Sequence, residues 1–288
     1  MSAHNLPHLS QRLFNVPLML LPGKLEVVIA AMADRMGLAK LFRADGTMMA
    51  LGAEYDKGDP AREVGYTVVR GVALIPITGT LVAKLGTLRP WSGMTGYDGI
   101  RQNLIAALED DDVRAIALDI ESPGGEVSCC FDLVDDIFAA RGQKPLVAIL
   151  SECAYSAAYA IASACDRIYV PRTGGTGSVG VICACVDFSR ALDAAGITVE
   201  LITYGARKAD GSEYLVLSKD ARARFQADVD KMGELFVDTV ARNRGLKASK
   251  VKATEATTFM GAAGVEVGFA DAVMAPDAAF RALLEELS

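Results

Sequence analysis

The chain has 288 residues, 51% apolar and 23% charged, which excludes a disordered chain and leaves room for a sizeable core. Its formal charge of −7 excludes nucleic acid as the main partner, because phosphate contacts need a basic face. The local basic run 242–252 (RNRGLKASKVK) reads instead as a solvated helix end and loop.

Residues 1–65 form an N-terminal arm and linker. The spacing predicts an amphipathic helix over 22–37 with Gly37 as its stop, and the Gly- and charge-rich stretch 43–63 reads as a linker. Such an arm either packs on the main domain or serves oligomerisation. The apolar stretch 16–33 is interrupted by Pro17, Pro22, Lys24 and Glu26, so neither a membrane anchor nor a signal peptide is expected and the protein is assigned to the cytoplasm.

From residue 66 to 288 strands and helices alternate. YTVVRGVALIPITGTL (66–81) predicts one or two strands, and YDGIRQNLIAALEDD (97–111) a helix burying Ile100, Leu104, Ile105 and Leu108. A buried strand over 113–122 runs into the turn SPGG (122–125), followed by a helix over 125–142 and a strand over 144–152. Beyond residues 151–166 come a strand at 167–171, the glycine-rich 173–182, a helix over 186–196 and a strand over 197–205. Residues 218–244 give the longest helix, capped by Ser218 and ended by Gly245, with Phe225, Val229, Met232, Phe236 and Val240 at three- and four-residue steps. A short strand near 269–274 and a helix at 276–287 close the chain. This alternation predicts an α/β domain with a largely parallel sheet.

Six cysteines, at 129, 130, 153, 165, 183 and 185, include no C-x-x-C pair and read as small thiols in a reducing compartment. The two histidines, His4 and His8, lie in the N-terminal tail.

The stretch SECAYSAAYAIASACD (151–166) predicts a buried helix of small residues with Ser156 at its start, beside unpaired N–H groups and the positive end of the helix dipole. Ser156 is not in G-x-S-x-G, so the sequence does not support the α/β-hydrolase elbow. A serine nucleophile needs a base. With both histidines in the tail, the remaining common base is a lysine kept neutral by burial. Lys208, in YGARKADGS (204–212), is the best candidate, and Lys84 competes with it. In ESPGGE (121–126), Gly124 and Gly125 permit backbone conformations that other residues avoid, so N–H groups there are placed to bind an oxyanion. By itself the motif is also an ordinary strand–helix turn.

SPGG after a strand, then A-x-S-A-A-Y-x-I-A-S-A-x-D, then TGSVGVI, then G-A-R-K resembles, in that order, the signal peptide peptidase A (protease IV) family. These are Ser/Lys peptidases on a ClpP/crotonase-type fold. The resemblance covers about residues 66–275 and implies Ser156 as nucleophile and Lys208 as general base. It further implies an oxyanion hole from the N–H groups of Gly125 and Ala157, supported by Gly124, with Ser178 orienting the neutral amine.

The stretch 6–28 (LPHLSQRLFNVPLMLLPGKLEVV) is similar to the phage branch of that family, the lambda protein C-type head maturation proteases. That branch implies capsid, scaffold or portal proteins as substrates, a homo-oligomer, and no metal or organic cofactor. Residues 209–218 are more apolar than the branch leads one to expect. No Ala/Gln/Glu-rich stretch follows within the sequence, so a fused scaffold is expected to be missing or separately encoded. Two alternatives stand beside this reading. One is a crotonase-like acyl-CoA enzyme using Glu121 or Glu126, and the other is an inactive peptidase-like assembly protein.

Overall fold

The computed structural model describes residues 14–25 and 64–288. In chain order these contain β1 (Pro17–Leu20), β2 (Thr67–Val69), β3 (Val72–Thr78), β4 (Thr80–Val82), β5 (Met94–Gly96) and α1 (Tyr97–Glu109). Next come β6 (Ala115–Ser122), β7 (Gly124–Glu126), α2 (Cys130–Ala139), β8 (Leu146–Ala154), α3 (Ala157–Ser163), β9 (Arg167–Val170) and β10 (Gly175–Gly177). Then follow β11 (Ile182–Cys183), α4 (Ser189–Ala194), α5 (Lys219–Arg244), α6 (Ala248–Lys252), β12 (Thr258–Met260), α7 (Ala262–Glu266), β13 (Ala272–Val273) and α8 (Pro276–Glu286).

β3, β6, β8 and β9 pair in parallel. A parallel pair needs a crossover, and α1, α2 and α3 supply one between each successive pair. These are the repeated β-α-β units expected of a ClpP/crotonase-like fold. The period of two sorts the side chains of β6. Ile116, Leu118 and Ile120 join the main core with Leu104, Leu133 and Ile161 from the crossover helices. Ala115 and Ala117 face the other way, onto Ala279 and Leu283 of α8. Burial on both faces explains why the strand reads as a continuous apolar run.

A second sheet has the order β11-β1-β7-β4-β5. The chain passes from the first sheet to the second at SPGG, where β6 ends at Ser122 and β7 begins at Gly124. β1 lies antiparallel between β7 and β11, so a piece of the N-terminal arm is built into this sheet.

Several expectations need correction. Residues 66–81 lie in three strands, because Gly71 and Gly79 take φ of +82° and +72° and break the run twice. The helix expected over 125–142 starts only at Cys130, since Gly125 and Glu126 are held in β7. α1 buries Tyr97, Ile100, Leu104 and Ala107, which turns Ile105 outward to 49% exposure. No strand forms over 197–205: among the described residues no neighbouring strand offers a ladder, and Ile202 and Tyr204 are exposed. α4 covers only part of 186–196 and buries none of its residues.

α5 does have its predicted ends: the Ser218 hydroxyl accepts from the Ala221 N–H at 3.1 Å, and Gly245 takes φ +64°. Its C-terminal half is core, with Phe236 and Val240 buried, whereas Phe225, Val229 and Met232 are half-buried. The helix expected over 22–37 is represented by one turn at 22–25. The remainder of that helix, the linker 43–63, His4 and His8 lie outside the described residues.

Candidate active site

Ser156 stands between the end of β8 and the first residue of α3. Its backbone takes φ 55°, ψ −120°, a region that costs a non-glycine residue about 1–3 kcal/mol and persists only where the surroundings impose it. The surroundings here do so. The Ser156 N–H donates to the Gly177 carbonyl at 2.9 Å, and the Tyr155 N–H donates to the Ser122 carbonyl at 3.1 Å. This is a sharp strand-to-helix turn presenting a serine, formed without the flanking glycines by which such turns are recognised in sequence.

The room for that turn comes from glycines elsewhere. A Cβ on Gly124 would lie 2.9 Å from Ser156 Cβ and 3.0 Å from the Tyr155 carbonyl oxygen. A Cβ on Gly175 would lie 2.0 Å from the Tyr155 hydroxyl. Thus Gly124 of SPGG and Gly175 of the TGGTG stretch leave the room that Ser156 and Tyr155 occupy against their backbones. The SPGG turn is itself tied down: the Ser122 hydroxyl donates to the Gly79 carbonyl at 2.7 Å and accepts from the Gly124 N–H at 3.2 Å.

All seven residues of α3 are buried. Its C-terminal carbonyls are capped from another element, because Arg141 donates to the carbonyls of Ser163, Ala164 and Cys165 at 2.6–2.9 Å. The same guanidinium reaches the Asn243 carbonyl of α5 at 3.1 Å. A cation at a helix C-terminus both satisfies the orphan carbonyls and opposes the dipole. Arg141 was not singled out in the sequence; its only local signal is a basic residue beside the helix-ending Gly142.

Of the expected oxyanion residues, Ala157 follows the serine directly and Gly125 follows Gly124, which packs on it. Ala157 opens α3, where N–H groups have no intrahelical acceptor, and Gly125 is in β7, opposite Met19 of β1 and Leu81 of β4. Ser178 follows the Gly177 carbonyl that holds Ser156 and is itself buried at φ 56°. The Ser156 hydroxyl oxygen is buried and has no hydrogen-bond partner among the described residues.

Lys208 makes no hydrogen bond with it. It lies on the exposed 197–217 segment, in a shallow surface pocket with Glu200, Ile202, Thr203 and Tyr214, and not at the end of a buried strand as expected. Lys84 is exposed as well. Of the two carboxylates beside SPGG, Glu121 is exposed and Glu126 accepts from the Ala83 N–H at 2.7 Å. All six thiols are free; burial pushes Cys130 up to about 12 and Cys153 up to about 11, so neither is a thiolate nucleophile at neutral pH. Among the described residues no three His, Cys, Asp or Glu side chains are grouped to hold a metal ion.

Comparison with known proteins places the chain in a family. The model of peptidase family S49 matches residues 139–288, which include Ser156, Ser178 and Lys208. Over 275 residues, 93% of this chain, the sequence is 42% identical to the head-tail preconnector protein GP5 of Enterobacteria phage P21, covering 55% of that protein. Over the same length it is 36% identical to capsid assembly protease C of Escherichia phage lambda, covering 63% of it. The chain therefore spans between half and two thirds of these relatives. Protease 4 of Haemophilus influenzae is 23% identical over 221 residues, 74% of this chain and 34% of that protein. Among solved structures, an enoyl-CoA hydratase/isomerase family member aligns over 78% of this chain and 75% of its own, at 15% identity and a TM-score of 0.46.

Proposed function

The chain belongs to peptidase family S49, and from that premise we propose that it is a serine endopeptidase with Ser156 as nucleophile and Lys208 as general base. The observation that carries this reading is the strained, enclosed backbone of Ser156, wedged between Gly124 and the Gly177 carbonyl. In the proposed reaction neutral Lys208 takes the Ser156 proton and the serine oxygen attacks a peptide carbonyl. The N–H groups of Gly125 and Ala157 hold the resulting oxyanion. The leaving amine takes the proton from Lys208, and water then releases the acyl-enzyme.

The exposure of Lys208 beside a buried Ser156 bears on assembly. The segment carrying it exposes Ile197, Leu201, Ile202, Tyr204 and Val216, an unusual run of apolar side chains for a surface. We infer a homo-oligomer in which this segment docks on a second copy and a lysine reaches a serine only after docking. The names of the two phage relatives point to head proteins, whether capsid, scaffold or portal, as substrates. Such an enzyme would work in the host cytoplasm or inside the assembling head. No helix among the described residues is long and apolar enough to cross a membrane.

The test is covalent labelling with a fluorophosphonate, followed by peptide mapping. Ser156 is expected to carry the label, and Ser156→Ala to lose both label and proteolysis. Lys208→Arg is expected to lose proteolysis as well, since a guanidinium stays protonated. Labelling at another residue, or proteolysis by Ser156→Ala, would overturn the reading.

A further inference from the structure

β1 runs along β7, whose Gly124 packs against Ser156. It is an extended segment entering between two strand edges, antiparallel to β7 on one side and to β11 on the other. Adding a strand in this way is a general mode of peptide recognition. β7 carries Gly125, expected to bind the oxyanion, and β11 follows the segment whose Gly177 carbonyl holds Ser156.

The register is informative. The Leu21 N–H donates to the Pro123 carbonyl at 3.0 Å, and hydrogen-bonding pairs alternate along an antiparallel ladder. Met19 and Gly125 are thus the next hydrogen-bonding pair, which sets the Met19 carbonyl toward the expected oxyanion donor. The surroundings of Gly124 agree, since a Cβ there would meet the Met19 carbonyl oxygen at 2.2 Å and Ser156 Cβ at 2.9 Å.

The side chains divide as a bound strand's would. Met19 points into the main core and is fully buried, while Leu18 and Leu20 share a small separate cluster with Leu25 and Ile182. The segment also touches the lysine loop: the Asn15 side-chain amide donates to the Gly211 carbonyl at 2.7 Å, three residues beyond Lys208.

We propose that residues 15–21 are an internal occupant of the peptide-binding groove. They close it to other peptides and pin the loop that carries Lys208, and the groove takes an extended apolar segment of the kind represented by Val16-Pro17-Leu18-Met19-Leu20. This rests on the peptidase reading of Ser156 for its consequence, but occupancy of the groove is measurable without catalysis.

The experiment uses the full chain. Pro17 lies opposite Cys183, so Pro17→Cys in a Cys185→Ser background can lock β1 in place by a disulfide when oxidised and release it when reduced. Fluorophosphonate labelling of Ser156 is expected to be about tenfold slower in the oxidised than in the reduced form, as expected when only a fraction of molecules is open. A second variant, Met19→Asp, sets a carboxylate against the core and is expected to speed labelling by a similar factor, with circular dichroism reporting the fold.

A fluorescent peptide of sequence FNVPLMLLP, residues 14–22, should bind Met19→Asp/Ser156→Ala and not Ser156→Ala alone. Equal labelling in the locked and released forms together with no peptide binding would overturn the proposal. If Ser156 is labelled in no variant while the peptide still binds as described, the groove assignment stands and the peptidase reading falls. If Met19→Asp does not fold, the disulfide comparison decides alone.

Discussion

Gly124 and Ser156 touch at the seam between the two sheets, with room for no atom between the glycine and the serine Cβ. Gly124 also holds φ at +102°, which side-chain-bearing residues rarely adopt. Gly124→Ala should therefore displace the serine, the turn or both. Misplacement on the scale of an ångström lowers catalysis by roughly 10²-fold, so the fluorophosphonate labelling rate should fall by about that factor. An unchanged rate would mean that the two backbones do not meet.

The buried and unpartnered Ser156 hydroxyl is a cost to stability in this state of the chain. Removing an unsatisfied buried polar group recovers about 1–3 kcal/mol, so Ser156→Ala should unfold at equal or higher denaturant concentration than the parent. Ser156→Gly should add about 1 kcal/mol by relieving the positive φ, less the entropy that glycine gains on unfolding. Both should be inactive. A loss of stability in Ser156→Ala, measured by urea titration, would show that the hydroxyl has a partner.

Lys208 is exposed while Ser156 is enclosed, so the two are predicted to meet only between copies or after rearrangement of the 197–217 segment. Mixing inactive Ser156→Ala with inactive Lys208→Ala distinguishes these. Recovery of up to about a quarter of parental activity is expected if random pairing joins intact residues from two copies. No recovery, with mixed oligomers demonstrated by native mass spectrometry, would place the pair within one chain.

Arg141 ties the C-terminus of α3 to α5 through four carbonyls. Arg141→Ala leaves those acceptors without a donor and should cost about 2–4 kcal/mol, on the scale of charge-assisted hydrogen bonds left unmade. Lys at this position should recover only part of that, because it lacks the planar fork. Thermal and urea unfolding of the three proteins would measure it.

Cys130 and Cys165 are fully buried and burial pushes both thiols up, Cys130 to about 12. A raised value means less thiolate at about pH 8, hence slow alkylation. Iodoacetamide should react first at exposed Cys185 and reach Cys130 and Cys165 only on unfolding, as peptide mapping would report. Proteolysis should survive alkylation of the folded protein if the nucleophile is a serine.

Most of the frame was readable from local pattern. The strands β6, β8 and β9 declare themselves because both faces of the sheet are buried, so the runs 115–118, 146–150 and 168–170 are apolar. The ends of α5 were readable because capping is a matter of a few adjacent residues, Ser218 at one end and Gly245 at the other. The apolar alternation of 197–205 is that of a strand, yet strand formation depends on a neighbour, and none lies there among the described residues. Ile105 was misassigned because helix periodicity fixes a stripe but not which of two adjacent apolar residues faces inward.

The sequence by itself determined the chemistry on offer: a serine among small residues, glycine turns on either side of it, lysines in place of histidine, and an order of motifs that belongs to one peptidase family. Tertiary structure alone decided how those pieces meet. Ser156 holds its strained backbone because Gly124 and Gly177 come from distant segments to enclose it, and Gly175 leaves room for the Tyr155 side chain. Whether an N-terminal segment pairs with β7 is likewise a question of long-range register, which no local pattern encodes. The physical reason is the range of the forces involved. Propensity and periodicity act over a few residues, whereas close packing and strand pairing act between residues brought together only when the whole chain folds.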